Sequence, residues 1–558
     1  MRKFMNIFAA ALVMLAAASC EKNEVLPDNN SEGKVVTLKA SINNGGTKTS
    51  LGQGVWEEGD PKVYPVLWSE GDAIAVIQGE GEETKIFKFV LQGQGKTAEG
   101  EFQLEVYDGC DYTLEENAFN ASAEIHAFYP FEGISLNGDG SINYTVPAIQ
   151  TYTTTVVDEV VCSTFGNGAS PMAAYAGNAA AGLSFENLFG VLKLQLKGAV
   201  NEKVFGIEII SDNSLKGNAQ LTIDDASSSI SLTSTESSDK KVILKCMEGV
   251  LLSTPTDLPA NATNLKVLIH TNVGSYTKDI PVSVKNSIKA GQILLMPELI
   301  LGTSVAPIIY KENGVSLGNG IAIPTSDGTF TIWAPVNCGY HAENFKYGKL
   351  YQWGRKDGQG YYNINNGVEF AYNDLGGGPS ITNGPISWEN YVAGNYSNVF
   401  FKVTITDDNP GDWVSPQKPD LWGNGTKTDH DPCPDGWRVP TNDELIGLTK
   451  TSQYSSGYGY GYWCSGNNPS NGSYPRILLQ YYNGYHGYNA DYGTNRTASA
   501  YYWSSTTDGV KSKCVSIAKG LSYPYDMFLR NYSNQRANAY SVRCVKDMTQ
   551  SQPMPGSN

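Results

Sequence analysis

From Val35 to Ile42 the apolar residues Val36, Leu38, Ala40 and Ile42 alternate with Thr37, Lys39 and Ser41, the period of two that a half-buried strand requires. The run stops at Asn43-Asn44-Gly45-Gly46, four turn formers in sequence. After the turn signal Trp68-Ser69-Glu70-Gly71-Asp72, the segments Ala73–Ile77 and Lys85–Leu91 predict two more strands. Short strands recur to about residue 130. Ala127–Pro130 gives way to Val146–Thr151, and the pattern loosens near Pro171-Met172. Leu183 to Leu196 predicts the opening of a second set, continued by Val204–Ile210, Lys241–Lys245, Leu265–Thr271 and Ile293–Leu301. Residues 304–318 carry no clear period, and beyond Ile321 aromatics and glycines dominate. There Phe330–Asn337 predicts a strand entering a loop, followed by Leu350–Arg355. Thr441 and Glu444 have the spacing of a capping box, in which each side chain satisfies an amide that the first helical turn leaves open. A helix from Asn442 to about Lys450, burying Leu445 and Leu448, is expected.

The start of the chain changes the picture. Met1-Arg2-Lys3, an apolar stretch from Ile7 to Ala18 and the small residues Ala17-Ala18-Ser19 precede Cys20. This is the layout of a lipoprotein signal peptide, too short for the ~20 apolar residues of a spanning helix. Cleavage before Cys20 predicts an exported protein anchored by acyl chains such as palmitate. Glu21 to Lys34 is polar, with almost nothing to bury, and reads as a tether.

With 558 residues, 59 glycines and 33 tyrosines, the chain predicts three to four units built mainly from sheets and turns. A formal charge of −16 argues against nucleic acid, whose phosphates would be repelled. Nine cysteines include no CxxC pair and no zinc-type spacing. Export permits disulfides; their pairing cannot be read from the sequence, and Cys433 with Cys544 is the first pair to test.

The signal, the strand before Thr47-Lys48-Thr49-Ser50-Leu51, the Trp-Ser-x-Gly-Asp turn, Ala127–Pro130, Val146–Thr151 and Phe185–Lys193 together resemble the fimbrillin family of Bacteroidales surface proteins, over residues 36 to about 303. The resemblance implies two transthyretin-like β-sandwiches in tandem, at 36–178 and 179–303. It also implies assembly into pili by strand exchange, after a trypsin-like cut releases the first strand. The matching cleavage position is Lys48, leaving Thr49 as the new terminus, although many members carry Arg there; Lys48 also reads as an ordinary solvated loop lysine.

Cys433–Thr441, Tyr502-Trp503-Ser504-Ser505 and Tyr540–Lys546 resemble the Fibrobacter succinogenes major paralogous domain family, whose fold is similar to C-type lectins and formylglycine-generating enzymes. This implies an α+β domain over about 319–548, between a 304–318 linker and a 549–558 tail. Its motifs read as framework. The HExxH, GxSxG and P-loop patterns are absent, no cysteine pair matches the copper-dependent enzymes, and the five histidines are scattered, so the expectation is a non-enzyme without a cofactor. The lectin signatures Glu-Pro-Asn, Gln-Pro-Asp and Trp-Asn-Asp are also missing. Asp407, Asp408 and Asp412, and further on Asp429, Asp431 and Asp435, are weak candidates for Ca²⁺ ligands; such groups are more often turn formers and solvated loop residues.

Twelve of the tyrosines fall between Tyr454 and Tyr502. Tyr458, Tyr460, Tyr462, Trp463, Tyr485 and Tyr488, set among Gly, Asn and Ser, form the candidate ligand surface, because tyrosine offers a rigid face and a polar tip; the same rings would also hold together a loop region of little regular structure. The family's donor strand lies after the second sandwich, where this chain carries a folded domain. The expectation is therefore a fimbrial tip or accessory adhesin, at the cell surface and outer membrane. It would accept a strand from another fimbrillin subunit and bind a host or bacterial glycan or protein. The alternatives are an unpolymerised surface lipoprotein that binds glycan, and an extracellular enzyme like the formylglycine-generating ones.

Overall fold

The computed structural model describes residues 36–548 apart from 43–49, 52–65, 96, 115–118, 158–159, 165–169, 224–227, 233–235, 251–253, 259–263, 281–287, 343–347, 359, 362–363, 366–367, 370–379, 398, 457–458, 466–474, 481–498 and 519–528. The described chain is mainly β. Alternation at the start produces strand β1 (Thr37–Ile42), which buries Leu38, Ala40 and Ile42 and turns Thr37 and Lys39 to solvent.

Seven strands close into a barrel in the order β1, Leu183–Asn187, Met172–Ala176, Ile125–Tyr129, Ala73–Gln78, Lys85–Leu91 and Glu99–Glu105. Its core is aromatic, with Trp68, Phe87, Phe89, Phe102 and Phe185 in one cluster. The stretch 183–196, expected to open the second sandwich, divides at Leu188-Phe189. Leu183–Asn187 completes the barrel, while Gly190–Lys197 enters the second unit.

That unit packs a three-stranded sheet (Thr254–Leu258, Gly190–Lys197, Ile293–Ile300) on a nine-stranded one that includes Ser275–Ile280, Leu265–Thr271, Val204–Ile210, Lys241–Val250 and Ile149–Val157. Leu192, Leu194, Ile207, Leu244, Val267 and Ile269 fill the space between them. Chain segments on both sides of residue 178 share sheets. Ile142–Val146 pairs with Gly217–Ile223, Ile149–Val157 pairs with Lys241–Val250, and Phe128, Tyr144, Leu188 and Ala219 belong to one core cluster.

The third unit joins a four-stranded sheet (Ile321–Pro324, Phe330–Trp333, Val545–Lys546, Trp437–Arg438) to a six-stranded one containing Lys349–Gln352, Ala539–Ser541, Ser499–Asp508, Lys511–Ala518 and Leu529–Asn534. Trp353, Trp413, Trp422, Trp437 and Trp503 are buried in its core. Helix α1 (Trp388–Ala393) is one of two short α-helices described. The other, α2 (Asn442–Ile446), starts with the expected capping box, the Thr441 hydroxyl accepting from Glu444 N and the Glu444 carboxylate accepting from Thr441 N. Leu445 and Leu448 are buried as expected, but α2 ends at Gly447 instead of near Lys450, because the strand Thr449–Ser456 begins two residues later.

The third unit is docked on the second. Ala306–Pro307 adds to the edge of Ser275–Ile280, Ser275 N donates to Gly320 O at 2.8 Å and Ile308 N to Ser275 O at 2.8 Å. Phe330 lies over Gly206, where a Cβ atom would come 2.2 Å from its ring, and tilts against His270 at 4.8 Å. Gly206→Val is accordingly expected to lift the third unit off the second, and limited proteolysis between Leu301 and Ile321 should become faster while the first barrel stays resistant.

Candidate functional site

β1 closes the barrel by pairing on both sides. Ala40, Ser41 and Ile42 run parallel to Leu183, Ser184 and Phe185, while Thr37 to Ser41 run antiparallel to Gln103 to Glu99. The ladder extends at both ends through Leu104 N to Val36 O and Ile42 N to Ala98 O, each 3.1 Å. Both flanking strands would be open edges without it, and an open edge offers a row of unmet N–H and C=O groups to any strand that fits.

Beneath β1 sits Trp68, fully buried, its ring edge-on to Phe102 at 4.8 Å, Phe185 at 5.6 Å and Tyr129 at 5.7 Å. Phe102 and Phe185 come from the two strands that flank β1. The turn after Trp68 is held by Ser69 N donating to Asp72 Oδ2 at 2.7 Å, and Tyr129 donates its hydroxyl to Asp72 Oδ1 at 2.9 Å. Burial, with Asp72 adding, raises Tyr129 well above an ordinary phenol, so it stays a donor. Gly100 faces Ala40 across the ladder, and a Cβ there would strike Leu91 at 2.5 Å. The slot under β1 is thus shaped for a small residue between two larger ones, the pattern that Leu38, Ala40 and Ile42 supply.

Lys48 and Thr49, the candidate cleavage point, lie outside the described residues, as do Cys20, Tyr458, Tyr485 and Tyr488. Tyr460, Tyr462 and Trp463 are on the strand Gly459–Ser465, which pairs with Thr449–Ser456 and Ile477–Gln480. This three-stranded sheet stands on a core of Leu445, Cys464, Leu479, Tyr502 and Val515.

Cys433 and Cys544 form a disulfide. The remaining motif residues are framework. Arg543, buried beside Cys544, donates to Asn337 Oδ1, Ala334 O, Pro335 O and Leu478 O at 2.7–3.1 Å and so ties the last strand to two others. Arg438 makes a two-pronged pair with Glu444 at 2.8 and 2.7 Å.

Asp412, one of the weak calcium candidates, is buried, with its Oδ2 3.4 Å from Arg536 and its Oδ1 accepting from Val414 N, so the carboxylate already serves an internal cation and an amide. Asp407 and Asp408 point to solvent nearby. Asp431 is likewise occupied, accepting from Cys433 N and Val439 N at 2.8 Å and from Lys427 at 3.3 Å. Sequence reasoning passed over the buried arginines Arg355, Arg536 and Arg543 as a class. Their signal is weak, because an arginine in a loop or strand normally reads as a surface residue.

No family model and no curated protein matches this chain. Solved structures do. A candidate cell adhesion protein from Bacteroides ovatus has 13% identity and a TM-score of 0.32, over 49% of this chain and 94% of that one. A second, from Bacteroides uniformis, has 14% identity and a TM-score of 0.28, over 48% and 93%. A fimbrial protein from Bacteroides ovatus has 12% identity and a TM-score of 0.18, over 91% and 99%. Scores this low assign neither family nor function. Among the described residues, no helix is long and apolar enough to cross a membrane.

Leu38→Ala should cost about 2–5 kcal/mol of barrel stability, measured by chemical unfolding, and should speed hydrogen exchange first at the amides of Glu99–Glu105. Burial pushes the Asp412 carboxyl up to about 6 despite the pull of Arg536. An unfolded aspartate titrates near ~3.9, so between these values the folded chain holds more protons. The contribution of this group to stability is full below the lower value and fades as pH rises to the upper one. Asp412→Asn is expected to flatten that part of the stability curve in urea titrations at stepped pH.

Proposed function

We propose that this chain is a surface adhesin of the fimbrial type, lipid-anchored through Cys20, whose first strand is the exchangeable element and whose third unit faces outward to a glycan or protein. The observation that carries the reading is the position of β1. It is a single short strand near the start of the described chain, it closes a barrel by itself on two sides, and the segment with Lys48 follows it directly. Its removal would leave an apolar slot over Trp68 and two open edges, which a donated strand of the same alternation could fill. The exchange would be slow to reverse because both ladders and the buried side chains must be released together.

The place after the second sandwich supports a terminal position in an assembly. Ala306–Pro307 caps the edge of Ser275–Ile280 and leads straight into the third unit. A segment folded in this way is poorly suited to act as a donor strand for a neighbour. The Tyr-rich sheet at Gly459–Ser465 is the contact surface in this reading, and Ca²⁺ plays no part through Asp412.

N-terminal sequencing and intact mass of the native protein, from sheared surface appendages and from membranes, test the proposal. A form starting at Thr49 in the sheared fraction is expected; lipidated protein starting at Cys20 found in membranes alone would overturn strand exchange and leave a free-standing surface binder. For the outer surface, the combined change of Tyr460, Tyr462 and Trp463 to Ala should reduce cell adhesion at least roughly tenfold, the loss expected when central aromatic anchors are removed. Unchanged adhesion by a folded variant would place the contact elsewhere.

A further inference from the structure

Three sulfurs meet at the last strand of the third unit. Cys338, Cys433 and Cys544 are all buried, and their Sγ atoms lie within 4.8 Å of one another. Cys433 and Cys544 are bonded, and Cys338 keeps a thiol. Cys338 is far from both along the chain, and only the fold brings the three together.

The groups around the sulfurs connect them. The Cys338 thiol donates to Pro432 O at 3.3 Å, and the Tyr351 hydroxyl donates to Cys338 Sγ at 3.2 Å. The Glu312 carboxylate stands beside the same thiol. It is fixed by Gly339 N, 3.0 Å from Oε1 and 2.9 Å from Oε2, and by the Tyr310 hydroxyl. Tyr310 reaches further, its oxygen lying 3.4 Å from Cys544 Sγ. One carboxylate therefore adjoins the free thiol directly and adjoins the far sulfur of the disulfide through one phenol.

We propose that this cluster is an internal thiol–disulfide exchange site, in which Cys338 attacks Cys433 and displaces Cys544. Glu312 takes the proton of Cys338 as the Cys338–Cys433 bond forms. The Cys433–Cys544 bond breaks, and its electron pair leaves on Cys544 Sγ. That sulfur takes a proton from Tyr310, which recovers one from Glu312. One thiol and one disulfide enter and one of each leaves, so no outside oxidant or reductant is needed.

Burial raises the Glu312 carboxyl above its ordinary range and makes it a stronger base, while burial also pushes the Cys338 thiol well up. The attacking form is the thiolate, so the second effect makes exchange slow until pH rises. The exchange has a mechanical result. Cys544 immediately precedes Val545–Lys546, the strand between Phe330–Trp333 and Trp437–Arg438. In the exchanged form that strand is held by hydrogen bonds and packing alone, and the domain gains an unlatched state without losing a disulfide. This site does not depend on the adhesin reading.

The test uses the full chain. Wild-type protein is held in a limiting glutathione redox buffer from mildly acidic to mildly alkaline pH, quenched with acid, alkylated with N-ethylmaleimide in denaturant and mapped by mass spectrometry. A Cys338–Cys433 linked peptide with alkylated Cys544 is expected as a minor species that grows with pH. In Cys544→Ser that link should become the main disulfide. Glu312→Gln should slow its appearance at least roughly tenfold while leaving the final proportions close to wild type, whereas a purely structural role would alter the proportions and not the rate. Alkylation of Cys338 in every wild-type sample, with no linked peptide at any pH, overturns the proposal. This arm holds even if Cys544→Ser does not fold.

Discussion

A chain built almost wholly of strands has to close its sheet edges, because every edge carries backbone groups that need partners. Each of the three units meets this constraint with a different segment. The first uses β1, which completes both ladders at once. The second covers Ser275–Ile280 with Ala306–Pro307, and in doing so fixes where the third unit begins. The third inserts Val545–Lys546 between Phe330–Trp333 and Trp437–Arg438 and ties it down with Cys433–Cys544 and Arg543. The position of Trp68 under β1, the docking of Phe330 on Gly206 and the meeting of three sulfurs all follow from these closures.

Where closure is by backbone alone, it is reversible in principle by another strand. Where a disulfide and a buried guanidinium are added, another strand cannot displace it while the disulfide stands. That contrast separates the two ends of the molecule. β1 is held by ladder bonds and by three inward side chains, two of them large. The last strand has in addition a covalent link and Arg543, whose charge is matched by oxygens at every prong that is described. A buried arginine without those acceptors would be strongly destabilising, so the loop at Ala334-Pro335 and the strand Ile477–Gln480 cannot move independently of the strand they hold.

The same chemistry sets where the acidic residues of the third unit point. Asp412 and Asp431 turn inward to Arg536, Lys427 and backbone amides, while Asp407 and Asp408 stay outside. Among the described residues, the group of three metal-binding side chain types that comes together is instead the cysteines. Proximity there is a property of the fold, since Cys338 follows one strand, Cys433 precedes another and Cys544 precedes the last.

Local alternation was enough to determine β1 and to place Lys85–Leu91, because period two is written directly into neighbouring residues, while Val204–Ile210 and Leu265–Thr271 were legible as short apolar runs that the fold buries at nearly every position. The Thr441–Glu444 box was legible for the same reason, its bonds spanning three residues. What lay beyond reach depends on distance along the chain. Whether Leu183–Asn187 serves the first unit or the second is decided by its parallel pairing with β1. The length of α2 is set by the strand that must start at Thr449. Asp412 became an internal ion-pair partner, and Cys338 the neighbour of a disulfide, only when segments far apart in sequence packed together, for the burial and charge of a side chain are properties of its surroundings and not of its own place in the sequence.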